Sequence, residues 1–281
     1  MDEHNLTAEK ITTFGQYLWS EEQSPGTQGK YCRDLRAFAR WLNGKSVTKE
    51  TVAAWKEQLS DSGYAPVTVN SMLASVHAFL CFAGWNECRV KYLKLQRRLF
   101  RDTSRELTRD EYGCLLDTAR TLGRERLALV MEAMGATGIR VSEVQYITVE
   151  AAQMGRAEIS LKGKIRTILL PNKLCRKLLK YAKQKKIATG EIFLTRGGNR
   201  LSRKQIWAEM KALCKRAGVE SSKVFPHNLR HLFATAFYRA CKDIAKLADV
   251  LGHSSIETTR IYLISTGAEH ARQLEHLGLV S

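Results

Sequence analysis

FPHNLRHLFATAFYRACKDIAKLADVLGHSSIETTRIY, residues 225–262, holds His227, Arg230, His231, His253 and Tyr262. Pro226 suits a first helical turn, where its missing N–H leaves no bond unmade. His227 and Arg230 stand three apart and project from one face of that turn. Leu229, Leu232, Phe233, Ala236 and Phe237 form the apolar stripe that anchors the helix. A second helix is expected over about 243–251, stopped by Gly252. His253 follows at once. Ser254-Ser255-Ile256-Glu257 then has the spacing of a capping box and opens a third short helix, expected to carry Tyr262.

Taken singly, each residue has an ordinary explanation. A histidine at a helix end commonly hydrogen-bonds locally, and a lone tyrosine commonly fills core. His227-x-x-x-His231 has metal-ligand spacing, but Asn228 stands where a zinc protease has its glutamate. With no third ligand at a fitting spacing, no metal is expected there. The combination carries more information than its members.

The net charge is +17, from 45 Lys and Arg against 28 Asp and Glu. It is uneven: residues 1–100 hold 13 basic and 10 acidic side chains, and residues 101–281 hold 32 and 18. A surplus concentrated in one part implies a polyanionic partner, nucleic acid above all. Seven cysteines form no C-x-x-C pair and mostly fall in helical patterns, as reduced core residues of a cytoplasmic protein do. MDEHNLTAEK is no signal peptide, and no apolar run reaches membrane-spanning length.

Residues 1–100 read as four short amphipathic helices: Thr7 to about Trp19, a second after Ser24-Pro25-Gly26 ending at Asn43-Gly44, a third capped by Thr48, and a fourth over about 67–82. Such helices make a compact bundle. Lys30, Arg33, Arg36 and Arg40 fall on one side of the second helix, either as a solvated face or as a DNA contact. A basic stretch through Lys91, Lys94, Arg97, Arg98 and Arg101 leads into a linker over 101–107. The second domain, 108–281, opens with the capping box Thr108-x-x-Glu111. A long apolar helix over 125–136 precedes Gly138, Arg140 and Glu143, the last two expected on the next helix. Ala157–Leu161 and Thr167–Pro171 read as strands flanking a basic turn, 162–166. Helix 174–185, a short strand over 192–194, and a helix capped by Ser202 follow. The fold class is therefore mainly α with a small β-sheet: a four-helix bundle, then an α+β domain with a C-terminal tail helix.

Four pieces, TGIRVSE, LKGKIR, HNLRH and LGHSSIETTRIY, resemble the tyrosine recombinase (phage-integrase-like) family and occur in that family's order. They cover the whole second domain; the N-terminal bundle resembles the family's core-binding domain by pattern. Carried over by position, the resemblance implies that Arg140 and Arg230 bind phosphate, that His227 and His253 are the active-site histidines, that Glu143 supports the site and that Tyr262 is the nucleophile. The hairpin lysine is Lys162 or Lys164; Lys162, before Gly163, fits the family's Lys-Gly turn better. No additional N-terminal module is expected.

The chemistry stands beside the resemblance. A tyrosine hydroxyl titrates near 10 and needs help to attack at neutral pH. Two arginines can hold non-bridging phosphate oxygens through forked hydrogen bonds. A histidine can move protons or hydrogen-bond the phosphate, and a lysine can protonate the leaving 5′ oxygen. A phosphotyrosine conserves the bond energy, so neither metal nor ATP is needed, and no Walker motif is present. The expected function is a site-specific recombinase acting on double-stranded DNA for integration, excision, resolution or inversion. A type IB topoisomerase, relaxing DNA without partner exchange, and a non-catalytic DNA-binding regulator are the rival classes. Two folded parts joined by an exposed basic connector suggest a clamp that grips DNA between the domains, and the resemblance further implies a monomer in free solution that assembles as a homotetramer on two sites. The tail over 268–279 either folds back on its own domain or, as the resemblance implies, docks on a neighbour with Gly267 as its hinge, and no membrane is involved.

Overall fold

The structure, a computed structural model, describes residues 4–95, 104–161, 164–253, 255–262 and 275–277, and the side chains of 161, 164 and 165 are outside that description. Lys162, the Lys164 side chain, part of the linker, Ser254, Gly267 and most of the tail therefore lie outside the described residues. The chain divides into two compact units, Met1–Arg97 and Arg98–Ser281.

In the first unit α1 (Ala8–Ser20), α2 (Pro25–Leu42), α3 (Lys49–Asp61) and α4 (Pro66–Phe82) follow the expected order. Thr7, Ser24 and Thr48 cap the first three by accepting backbone N–H bonds. Asn43 ends α2 in the left-handed conformation. Phe14, Leu35, Phe38, Val52, Trp55, Val69, Leu73, Val76 and Phe79 are buried together. A 3₁₀ turn, Asn86–Cys88, follows α4. Lys30 departs from the basic face assigned to α2. Its Nζ donates to Asp34 Oδ2 at 2.7 Å and to Ser71 O and Ser75 Oγ at 2.9 Å, joining α2 to α4. Asp34 and Ser75 are both buried, so this lysine serves the bundle's interior; a buried carboxylate requires a cation beside it.

In the second unit α5 (Arg109–Thr121), opened by the Thr108–Glu111 capping box, packs on α6 (Glu125–Thr137). Gly138 ends α6 with φ +66°. Next come a 3₁₀ helix (Val141–Tyr146), α7 (Val149–Met154) and an antiparallel pair, β1 (Arg156–Leu161) and β2 (Lys164–Leu169). Leu161 pairs with Lys164. Arg166 therefore belongs to β2, opposite Ile159, rather than to a five-residue basic turn. Then come α8 (Asn172–Gln184), α9 (Arg203–Lys211), α10 (Cys214–Ala217), α11 (Pro226–Cys241), α12 (Ile244–Leu251) and α13 (Ile256–Arg260). The strand expected over 192–194 is reduced to two isolated bridges, Thr148–Glu191 and Leu194–Arg200. The helix capped by Ser202 breaks after Lys211 and resumes as α10.

All seven cysteines are free thiols, but only Cys88, Cys175 and Cys214 are buried. Cys81 and Cys114 are exposed and Cys32 and Cys241 intermediate, so a place within a helical pattern did not make these four core. Among the described residues no helix is long and apolar enough to cross a membrane.

Candidate active site

Arg230 lies at the centre of the site. It is carried by α11, which packs against α6, and only 2% of it is exposed. A guanidinium so enclosed needs acceptors, and the backbone supplies them. Nη1 donates to Gly138 O at 2.5 Å and Nη2 to Leu251 O at 2.8 Å. These carbonyls sit where α6 and α12 end, at the negative poles of both helices. Burial, and after it the neighbouring Arg140, lower the Arg230 pKa to about 10, so the group remains charged at neutral pH. The Tyr262 phenol is among the groups that favour its charged form.

Arg230 also fixes the state of His253. Nη2 approaches His253 Nε2 at 2.8 Å, and His253 Nδ1 lies 2.8 Å from Thr259 Oγ1. Guanidinium nitrogens only donate, so Nε2 is the acceptor and the ring proton sits on Nδ1, facing Thr259. Burial and then the charges of Arg230, Arg140 and Arg166 push the His253 pKa down to about 4. The ring is therefore a neutral acceptor at neutral pH.

The second cationic group is built on Glu143, which is 1% exposed. Arg140 and Glu143 were both expected on the next helix. Instead Arg140 is the residue just before the 3₁₀ helix, and the Glu143 carboxylate is buried. Glu143 accepts from Arg140 N at 2.7 Å, from Arg140 Nη1 at 2.9 Å and from Arg166 Nη2 at 2.6 Å. Arg140 Nη2 reaches Gly252 O at 3.4 Å, while 42% of its side chain stays open to solvent. Arg166 lies under Gly252 and donates to Val250 O at 3.3 Å. Burial lowers its pKa, against the opposing pull of Glu143. Two guanidiniums, those of Arg140 and Arg166, share one carboxylate here, which leaves a positive excess on a surface open at Arg140.

His227 stands at the start of α11 with an exposed side. Partial burial, then Arg230 and Arg140, hold its pKa below the usual histidine value. Tyr262 does not ride on α13, which ends at Arg260. It lies in the turn after it, its N–H bonded to Thr259 O at 3.0 Å. The residue is 3% exposed and belongs to a small core with Ala234, Leu247 and Leu251. Its ring meets His231 edge-on at 5.0 Å and lies nearly parallel to His253 at 6.2 Å. Tyr181 is buried and Tyr238 partly so; burial alone therefore does not set Tyr262 apart.

Of the seven residues singled out from the sequence, Arg140, Glu143, His227, Arg230, His253 and Tyr262 come together; Lys162 lies outside the described residues. Sequence reading missed Arg166 and Thr259. Arg166 could have been found by extending the strand over 167–171 backward, which puts it on β2. Nothing in the sequence marks Thr259. Asn228, by contrast, is structural: its Nδ2 donates to Arg105 O and Lys223 O at 2.6 and 2.7 Å, tying α11 to the segment before α5.

The chain spans nearly the full length of the relatives it resembles. Tyrosine recombinase XerA of Pyrococcus furiosus is 28% identical over 293 residues, covering 99% of both chains. Tyrosine recombinase XerC of Roseiflexus castenholzii is 30% identical over 279 residues, covering 90% of this chain and 88% of that one. The fold is shared with the Tn1549 transposon integrase, solved in complex with circular intermediate DNA, at a TM-score of 0.72 and 16% identity over 96% of this chain and 99% of that one. Residues 11–87 match the phage integrase N-terminal SAM-like domain, and residues 105–269 match the phage integrase family. Because the second match alone covers more than half of the sequence, this chain belongs to the phage integrase family.

Proposed function

We propose that this protein is a site-specific DNA recombinase that cuts and rejoins double-stranded DNA through a phosphate ester on Tyr262. The observation that carries this is Arg230: a buried, charged guanidinium held by backbone carbonyls, beside a tyrosine, with the half-open Arg140 nearby.

A scissile phosphate seated against Arg140 and Arg230 has its charge met by donors that are already oriented. They need no reorganisation as a second negative charge develops in the pentavalent transition state. Glu143 and Arg166 act on Arg140 rather than on DNA: they fix the rotamer of a side chain that is otherwise half free. The Tyr262 oxygen attacks phosphorus, the bond from phosphorus to the 5′ oxygen breaks, and a 3′-phosphotyrosine forms with a free 5′ hydroxyl. The phenolic proton must leave and the 5′ oxygen must gain one. His253 orders Arg230 as a neutral acceptor, His227 is open to the phosphate, and the hairpin lysine, Lys162 by preference, is the proton donor that the family resemblance implies. The reverse attack by a 5′ hydroxyl rejoins the strand without an external energy source. Tyr262 is packed in core, so attack requires it to leave the Ala234–Leu251 cluster, a rearrangement that bound DNA can drive only through contacts it makes better in the opened state.

The bundle and the basic second unit would together hold the duplex inside the cell, with residues 101–107 as linker. The assembly would be a monomer in free solution and a homotetramer on two sites, with the tail after Tyr262 coupling neighbours. Light scattering with and without a two-site DNA tests this; a stable tetramer without DNA would contradict it. Integration, excision and resolution all use this chemistry. The test of the central step is a nicked substrate that traps the covalent adduct. Tyr262→Phe should bind the site and form no adduct, and an adduct of unchanged yield would overturn the assignment. Exchange between two sites, rather than relaxation of a single supercoiled circle, separates recombinase from topoisomerase.

A further inference from the structure

In the first unit, away from any residue given a role above, His4, Glu87 and Cys88 turn three different donor atoms toward one another. His4 Nδ1 lies 3.6 Å from Cys88 Sγ and 3.6 Å from Glu87 Oε1, and Cys88 Sγ lies 3.8 Å from Glu87 Oε1. A contact of 3.6 Å between nitrogen and oxygen is too long for a hydrogen bond. Cys88 Sγ also faces Val47 O at 3.5 Å. The thiol thus has one ordinary hydrogen bond, to Val47 O, while the imidazole and the carboxylate beside it stand too far apart to bond each other.

The same distances suit a cation. A tetrahedral zinc ion with its usual bonds to sulfur, nitrogen and oxygen separates its ligands by about 3.3–3.7 Å. The observed triangle, 3.6, 3.6 and 3.8 Å, is one face of such a tetrahedron with little adjustment. The ligands are also held in place. The His4 ring stacks on Trp85 with centroids 4.6 Å apart and planes 12° apart. His4 O accepts from Val47 N at 2.7 Å, and Cys88 is 3% exposed on its 3₁₀ turn. Orientation of a ligating imidazole by its surroundings is a recurrent feature of metal sites.

We propose that His4, Glu87 and Cys88 form a site for a borderline divalent cation, zinc above all, with water as the fourth ligand. Binding replaces the Cys88 thiol proton, which passes to solvent, by a metal–thiolate bond; His4 ligates through neutral Nδ1 and keeps its proton on Nε2. The cation joins the segment before α1 to the turn after α4, so it fastens the first helix of the bundle to the end of the last. It takes no part in strand cleavage.

The test uses tag-free full-length protein freed of metal by chelator dialysis. Zn²⁺ is titrated calorimetrically, and Co²⁺ by absorption, where a thiolate-to-cobalt charge-transfer band reports sulfur ligation. The wild-type chain should take one equivalent of either ion, gain thermal stability with Zn²⁺ and show the band. Cys88→Ser should lose the band. Glu87→Gln and His4→Ala should weaken binding by about tenfold or more and lose the thermal gain. If Cys88→Ser fails to fold, His4→Ala carries the test, since that side chain is 31% exposed. Absence of binding at micromolar Zn²⁺, or a band and stoichiometry unchanged in His4→Ala and Cys88→Ser, overturns the site.

Discussion

Gly252→Ala adds one methyl group at the junction of α12 and the histidine that follows it, and we predict that the second unit loses about 3 kcal/mol of stability. Two contributions add. Gly252 has φ +64°, and an alanine in that left-handed conformation costs about 1 kcal/mol. The new Cβ would also stand 2.5 Å from Arg166 Cδ and Nη1 and 3.0 Å from Nε. Arg166 can retreat only by loosening its 2.6 Å bond to buried Glu143. Losing one partner of a buried ion pair costs about 3–5 kcal/mol, and a partial retreat about 2. Urea unfolding read at Trp207, the only tryptophan beyond residue 97, gives the change as a shift in midpoint at constant slope. The decisive comparison is the same substitution in an Arg166→Ala background. There the steric contribution is gone, and the cost of Gly252→Ala should fall to about 1 kcal/mol. Equal costs in both backgrounds would refute the clash between Gly252 and Arg166.

Three further outcomes follow from the site. Arg140→Ala and Arg230→Ala should each lower cleavage about a hundredfold or more, while gel-shift affinity stays close to wild type because binding is spread over many basic contacts; parallel loss of both would contradict the assignment. His253, with its pKa pushed down to about 4 from the ordinary 6.5, is neutral in the native state while the unfolded chain takes up a proton between those values. Stability should therefore decline as pH falls from 6.5 toward 4. His253→Gln should make that decline shallower, with a residue left by His227, and identical urea-midpoint profiles for variant and wild type would sink this account. Thr259→Val leaves the His253 Nδ1–H without its acceptor and should cost about 1–3 kcal/mol and slow adduct formation, whereas Thr259→Ser should restore both; failure of serine to rescue would mean that packing, not the hydrogen bond, matters.

The helices were legible because caps and apolar stripes are local signals. Thr7, Ser24, Thr48, Thr108 and Ser202 all sit where a short polar side chain closes a first turn. That Arg140 joins Arg230, His253 and Tyr262 was legible only through motif order, since it lies far from them in sequence. What escaped depends on three-dimensional neighbours. Glu143 could be assigned a supporting role from motif order, but its burial and its second partner, Arg166 from β2, are visible only in three dimensions. Lys30 reads as one of a basic row until Asp34, Ser71 and Ser75 prove to surround it. The expected strand over 192–194 has the right residues, but among the described residues it forms only single bridges.

Arg230 is held by main-chain carbonyls at the ends of α6 and α12 in addition to the His253 ring. Its position is accordingly written in the lengths of two helices. Exchanging side chains along the outer faces of α6 and α12 leaves both carbonyls where they are, so those faces are free to drift. A one-residue insertion or deletion within either helix is a different event: it turns the terminus by about 100° and moves it about 1.5 Å along the axis, carrying the carbonyl away from the guanidinium. The site should thus tolerate substitution and reject changes of length, and libraries built to alter DNA specificity from this scaffold should vary residues in these helices without varying their number.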